Sequence, residues 1–331
     1  EYELGRLWLA MYRGSTKEHS DPLMRTYLED LIYRLSETSE VRDRRFEFII
    51  LEDESINAFA APGGIIGINL GMFLNTKREG ELASVMCHEL AHLSQRHYAR
   101  SQNRSSPLAN ALMILGSIAV AAASRNPEAI MIAPAAMQQM SINYTRSNEK
   151  EADRIGFNNL VKAGFDPNDM TMMFQRMQDK YQREDSEQFS YLMTHPLPSE
   201  RLTDMRIRAD NISKPSEGSF RDNLDFYFMQ KRSEIWAEKD TKELIKKYKK
   251  DLESDQRNVS LSSKYGMALA LKKEKNYEES FKILRELIKE SPNNLVLESS
   301  LMEIHLSAKN YYEAISLGKN ILEIHNNNYA A

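Results

Sequence analysis

The chain has a single cysteine, Cys87, in 331 residues. No disulfide can form within it, and one thiol says nothing about the redox state of its compartment. Neither charge is in surplus: 44 basic residues stand against 48 acidic ones, leaving no broad basic surface. Nucleic acid is therefore excluded as the main partner. The chain also lacks an uninterrupted apolar run of membrane length. Pro107 to Ala123 is almost wholly apolar, and a Met- and Ala-rich stretch runs from Ile130 to Met140. However, Asn110 and Ser117 interrupt the first and Arg125-Asn126-Pro127 ends it, short of the roughly 20 residues a span needs. Segment 107–140 is expected to be a lid or buried helical hairpin, with peripheral membrane contact as the competing reading. The N-terminus, Glu1-Tyr2-Glu3-Leu4-Gly5, has neither the basic start nor the apolar run of a leader peptide. What is present, 28% charged and 41% apolar residues, is the balance of a water-soluble globular protein long enough for one main domain and a smaller module.

Apolar residues at three- and four-residue spacings (Leu23, Tyr27, Leu28, Leu31, Ile32, Leu35) predict an amphipathic helix over Pro22–Glu37. Phe46–Leu51 and Gly63–Asn69 read as strands, with Asn57-Ala58-Phe59-Ala60-Ala61-Pro62 linking them. From Gly80 to Arg100 the pattern is helical, with Leu82, Val85, Met86, Leu90 and Leu93 on the buried face beneath the sheet. Further helices are expected over Ser147–Ala163, Pro167–Arg183 and Ser199–Asp210. After Asn211–Ser219 glycine and proline thin out and lysine rises, which marks a domain boundary.

Beyond that boundary the chain repeats itself. Asn276-Tyr277-Glu278-Glu279-Ser280 recurs as Asn310-Tyr311-Tyr312-Glu313-Ala314, an offset of 34 residues, which is the tetratricopeptide length. The small residue in each copy, Ser280 or Ala314, lets two helices approach closely. Segments 261–294 and 295–328 are the clear units, and helices near Leu224–Trp236 and Thr241–Leu252 would serve as a divergent first one.

The chemistry is carried by His88-Glu89-Leu90-Ala91-His92. Two histidines four apart on a helix project from one face and can grip one metal ion, and Glu89 beside the first can take a proton from a metal-bound water. Zinc suits such a site, since it lowers the pKa of its water to about 7 and polarises a scissile carbonyl. Glu149 and Asp153 lie one turn apart on a second helix. Glu149 would complete the zinc triad and Asp153 would fix a ligand imidazole's tautomer, with Glu151 as the competing ligand. The metzincin continuation is missing, because Gln95 and Tyr98 stand where a glycine and a histidine are required. His97 reads as a structural hydrogen-bonder and Cys87 as a small buried group. The Gly63–Asn69 strand is expected to offer an open edge to the cleft, with Asn57, Gly63, Gly64, Ile65 and Ile66 meeting an extended substrate.

Together, Asn57–Ala60 with Gly63-Gly64, the His88–His92 and Glu149–Asp153 motifs, and His195-Pro196 followed by Arg201 resemble the HtpX and CAAX-prenyl-endopeptidase family. The resemblance implies that Arg201 helps hold transition-state charge and that His195 sits beside the zinc. Because Pro196 makes a rigid turn, His195 is expected to take the fourth zinc position at rest and, once displaced, to donate to the oxyanion. Members that add C-terminal repeats imply a periplasmic enzyme of Gram-negative bacteria, with a leader cleaved before Glu1. Such an enzyme would remove stalled or unfolded outer-membrane proteins and assist others to assemble, its repeats docking on the β-barrel assembly machinery. The fold class expected is mainly α with a small β-sheet: a gluzincin-type zinc metalloprotease domain over 1–212, a linker over 213–222 and a helical tetratricopeptide-repeat domain over 223–331. The rival class is a chaperone or adaptor in which zinc is structural, and the intact Glu89 argues against it.

Overall fold

The computed structural model describes residues 2–102, 145–183, 190–212, 220 and 222–325. The expected hairpin at 107–140 lies outside these residues, and among them no helix is long and apolar enough to cross a membrane. The architecture is mainly α with one small sheet. The chain divides into two compact units. One comprises Glu1–Ser20 and Asp30–Arg221, the other Asp21–Glu29 and Asp222–Ala331. The stretch Asp21–Glu29 carried no sign in the sequence that it belongs with the C-terminal part.

In the first unit the sheet contains β1 (Glu47–Leu51), β2 (Ala58–Ala61) and β3 (Ile65–Asn69) in the order β1-β3-β2, with β1 parallel and β2 antiparallel to β3. This corrects two expectations. Ala58–Ala61 is a strand and not a connector, and the Gly63–Asn69 segment supplies the middle strand and not an edge. Ile65, Ile66 and Ile68 are fully buried, as a strand with neighbours on both sides requires. Phe59 pairs with Gly67, and a Cβ at that glycine would fall 2.1 Å from the Phe59 ring, so the missing side chain makes room for the aromatic one. The turn from β2 to β3 uses Gly63 and Gly64 at φ +84° and +78°, the left-handed region that glycine tolerates. An N-terminal helix, α1 (Tyr2–Ser15), covers one face of the sheet: its Leu9 and Tyr12 join Ile49, Leu51, Phe59, Ala61 and Ile65 in a buried cluster.

After α2 (Pro22–Thr38) and the short α3 (Leu70–Asn75) comes the motif helix, α4 (Glu79–Ser94). Its first turn is fixed by buried carboxylates, with Glu79 bound by Arg34 at 2.9 Å and Glu81 by Arg176 at 2.7 Å. The continuous helix expected to Arg100 is broken. Arg96 adopts φ +52°, and α5 (His97–Gln102) starts in a new direction. Helix α6 (Arg146–Lys162) packs on α4 at very short range, since a Cβ on Gly156 would lie 3.0 Å from the Cys87 carbonyl and from His88 Cα. Ala91, Ala152 and Ile155 fill the rest of that contact. Helices α7 (Asn168–Arg183), α8 (Ser190–Thr194) and α9 (Ser199–Asp210) complete the unit.

The second unit contains three helical hairpins: α10 (Leu224–Ala237) with α11 (Thr241–Asp251), α12 (Arg257–Lys273) with α13 (Tyr277–Glu290), and α14 (Leu295–Ser307) with α15 (Tyr311–Ile324). The 34-residue offset recurs in the backbone, because Lys275 and Lys309 both turn the chain with φ near +63° (63° and 64°) just before Asn276 and Asn310. Ser280 is buried and donates to the Ala268 carbonyl at 2.7 Å, while Ala314 is buried at the corresponding place. Arg232 binds Asp21, Glu303 and the Tyr265 hydroxyl, joining the stretch Asp21–Glu29 to these helices.

The α4–α6 contact leaves no space for a side chain. Gly156→Val is expected to lower stability by about 1–3 kcal/mol through overpacking, read as a lower midpoint in chemical denaturation with chelator present. An unchanged midpoint would show that the two backbones can separate at no cost.

Candidate metal centre

Four buried side chains, His88, His92, Glu149 and His195, bring one donor atom each within 4.8 Å of one another. The nearest approaches are closer. His88 Nε2 lies 2.9 Å from His92 Nε2 and 3.4 Å from His195 Nδ1, and Glu149 carboxylate oxygens lie 3.1 Å from His195 Nδ1 and 3.4 Å from each of the other two nitrogens. A tetrahedral zinc ion with ligand bonds of about 2.0–2.1 Å sets its donors about 3.3 Å apart. The cage therefore fits the ion.

The outer nitrogens explain why lone pairs converge there. His88 Nδ1 faces Asp153 Oδ1 at 3.0 Å, so the carboxylate keeps the proton on that side. His92 Nδ1 lies 2.9 Å from His97 Nδ1, and His97 Nε2 lies 3.1 Å from Glu151. With Glu151 accepting from His97 Nε2, His97 Nδ1 accepts from His92 Nδ1, and His92 Nε2 is left as a lone pair. The break at Arg96 makes this relay, because it returns His97 toward His92. Glu151 thus serves at the far end of the relay and not in the cage.

Charge around the cage favours a cation. Burial would raise Glu149, yet His195 and His88 hold it well below the usual carboxylate range. Burial opposes a charge on His88, but the Asp153 and Glu149 carboxylates bring its pKa up to about 9, while burial and the neighbouring His88 keep His92 well below its ordinary value. Arg201, itself buried, supports both acids: Nε and Nη2 donate to Asp153 at 2.6 and 2.7 Å, and Nη1 donates to the Pro196 carbonyl at 2.6 Å and pairs with Glu149 at 2.8 Å. Its guanidinium faces carboxylates, an arrangement for holding Glu149 and Asp153 in place.

Glu89 stands beside the cage. Its Oε2 accepts from the Ala60 N–H at 3.0 Å, and its Oε1, with no hydrogen-bond partner among the described residues, lies 3.5 Å from His195 Nε2. Burial pushes its pKa up, which suits a carboxylate that must accept a proton near neutral pH. Asn69 N–H donates to the Asn57 carbonyl, so by the alternation of an antiparallel pair the main-chain groups of Ala58 and Ala60 point away from β3. Ala60 is therefore the strand residue that meets Glu89.

The residues expected to meet substrate are placed elsewhere. Asn57 lines a polar cavity with Asp53, Ser55 and Asn69, to which the four cage residues contribute nothing. Gly63 and Gly64 pack against Gly5 and the Arg45 carbonyl, and Ile65 and Ile66 lie within the middle strand. Ala58 and Ala60, the strand residues that face Glu89, carry no chemical signal in the sequence.

A match to peptidase family M48 spans residues 22–209, which includes every cage residue, and the chain belongs to that family. Beta-barrel assembly-enhancing proteases of Yersinia pestis and Escherichia coli K12 are each 34% identical to it, over 97% and 99% of this chain and 66% and 67% of their own lengths. The mitochondrial metalloendopeptidase OMA1 of Schizosaccharomyces pombe is 27% identical over 58% of this chain and 56% of its own. These likenesses bear out the resemblance carried by the motifs. The chain spans 60–67% of the length of the beta-barrel assembly-enhancing relatives it matches.

Glu149→Ala should abolish zinc retention, whereas Glu151→Gln should keep the metal and weaken it about tenfold, as loss of an outer partner does. Competition against a chromophoric chelator measures both. Equal loss in the two variants would return Glu151 to the ligand set.

Proposed function

We propose that the chain is a zinc endopeptidase that cuts unfolded or misassembled protein. The observation that carries this reading is the convergence of three imidazole nitrogens and a carboxylate on a site of zinc dimensions, with the half-free carboxylate of Glu89 beside it. The bound ion supplies a water of lowered pKa and polarises the peptide carbonyl. Glu89 takes the proton of the attacking water at Oε1 and delivers it to the leaving amine. Asp153 and the His97–Glu151 relay keep the two helix histidines in ligand tautomers, and Arg201 holds Glu149 and Asp153 against them. The role given to Arg201 by the family resemblance, support of transition-state charge, is thereby replaced by a positioning role. An extended substrate would pair along β2, whose outward main-chain groups lead to Glu89, which favours unfolded chain over any one sequence.

His195 is assigned two states. At rest it fills the fourth position and excludes the water, since four protein ligands make a closed zinc site. Substrate displaces it, and the freed imidazole then donates to the developing oxyanion. The beta-barrel assembly-enhancing relatives support a role in β-barrel assembly; with it go a periplasmic setting, stalled outer-membrane proteins as substrates, and a tetratricopeptide surface, read from the 34-residue recurrence of the C-terminal hairpins, that docks on the assembly machinery.

Glu89→Gln is expected to keep its zinc and to lose at least about 100-fold in casein cleavage. Parent-like cleavage by that variant would mean that the cage is structural and the activity lies elsewhere. His195→Ala should cut casein and itself faster than the parent. Slower cleavage would leave only the oxyanion role.

A further inference from the structure

Tyr191 is a buried tyrosine with no part in the chemistry above. It stands on α8, four residues before His195, which directly follows the last residue of that helix. Their rings stack, with centroids 4.6 Å apart and planes inclined by 24°. The backbone makes the same link, because His195 N–H and the Thr194 hydroxyl both donate to the Tyr191 carbonyl, at 2.8 and 3.0 Å. On its other side His195 precedes Pro196, whose carbonyl is held by Arg201. The imidazole meets His88 and His92 at steep angles, 80° and 60°, whereas Tyr191 lies nearly parallel to it.

The hydroxyl is the odd feature. It is buried and finds no hydrogen-bond partner among the described residues. The ring is therefore the part of the side chain that acts on its neighbours.

We propose that Tyr191 is a positioning residue for His195, its ring fixing the imidazole plane so that Nδ1 stays on the cage and the fourth metal position is closed at rest. The Glu149 carboxylate holds Nδ1 at the edge of the ring, at 3.1 Å, which leaves the tilt of the imidazole plane to whatever meets its faces. Stacking on a ring already locked in the core removes that freedom. The inference rests on the zinc reading of the cage and concerns only how its fourth donor is held.

The test uses the full chain loaded with zinc, and separately with cobalt(II), whose visible absorption reports coordination. In Tyr191→Leu the zinc dissociation constant, measured by chelator competition, is expected to rise about tenfold, the scale of an outer partner. The cobalt spectrum should move toward that of His195→Ala. The double variant Tyr191→Leu/His195→Ala should match His195→Ala alone, because the tyrosine acts through the histidine. Tyr191→Phe keeps the ring and should leave both readouts at the parent values. Additive losses in the double variant, or parent-like binding in Tyr191→Leu, would overturn the inference, as would a tenfold loss in Tyr191→Phe if the leucine variant does not fold. Failure of the underlying reading looks different: the parent itself would fail to retain zinc, or His195→Ala would leave the cobalt spectrum unmoved.

Discussion

The close approach of two helix backbones at Gly156 is the constraint on which the centre depends. The imidazoles on α4 are short, and the carboxylates of Glu149 and Asp153 can reach them only if α6 lies almost in contact with the main chain at Cys87 and His88. A glycine at the crossing, with Ala91 and Ala152 beside it, gives that spacing. Everything further out follows from it. Arg201 on α9 can span Asp153 and Glu149 because those acids are already one turn apart on a fixed helix, and in doing so it draws the Pro196 carbonyl, and with it His195, toward the cage.

The charges are arranged in layers, acids within and arginines outside. Nitrogen lone pairs and one carboxylate form the inner layer, Asp153 and Glu151 the next, and Arg201 and Arg100 close the outside. Buried charges are costly unless each meets a partner, and here each partner also fixes a proton position. The same principle operates at the start of α4, where Glu79 and Glu81 meet Arg34 and Arg176. The motif helix is thus pinned electrostatically at one end and sterically in its middle, which leaves few degrees of freedom to the two histidines it carries.

Much of this was legible in the sequence where chemistry and period coincide. His88 and His92 four apart, Glu149 and Asp153 four apart, and the 34-residue recurrence around Asn276 and Asn310 each follow from helical geometry. Legibility failed where neighbours decide. The short run Ala58–Ala61 has one strong strand former, Phe59, and becomes a strand because Gly67 opposite it accepts the ring. The isoleucines of Gly63–Asn69 announced a strand, but not that both its sides would be paired. Arg96 interrupts a good helical pattern without a proline or glycine to mark the place, and only the resulting contact of His97 with His92 shows why the break matters. Tyr191 is one of 15 tyrosines in the chain, and nothing short of its stack on His195 sets it apart.

The bond from Ala60 N–H to Glu89 has a consequence for solubility. An outer strand offers unpaired main-chain groups to any passing chain, and proteins guard against self-association by shortening, covering or charging such a strand. Here β2 is four residues long and buried, and of its two outward amides that of Ala60 is already taken by a buried carboxylate. A second copy of the chain therefore meets a short strand with one hydrogen-bonding position fewer, while a substrate that pairs through the remaining outward groups leaves Glu89 in place. The carboxylate proposed as the base thus also shields the sheet from becoming a template for aggregation.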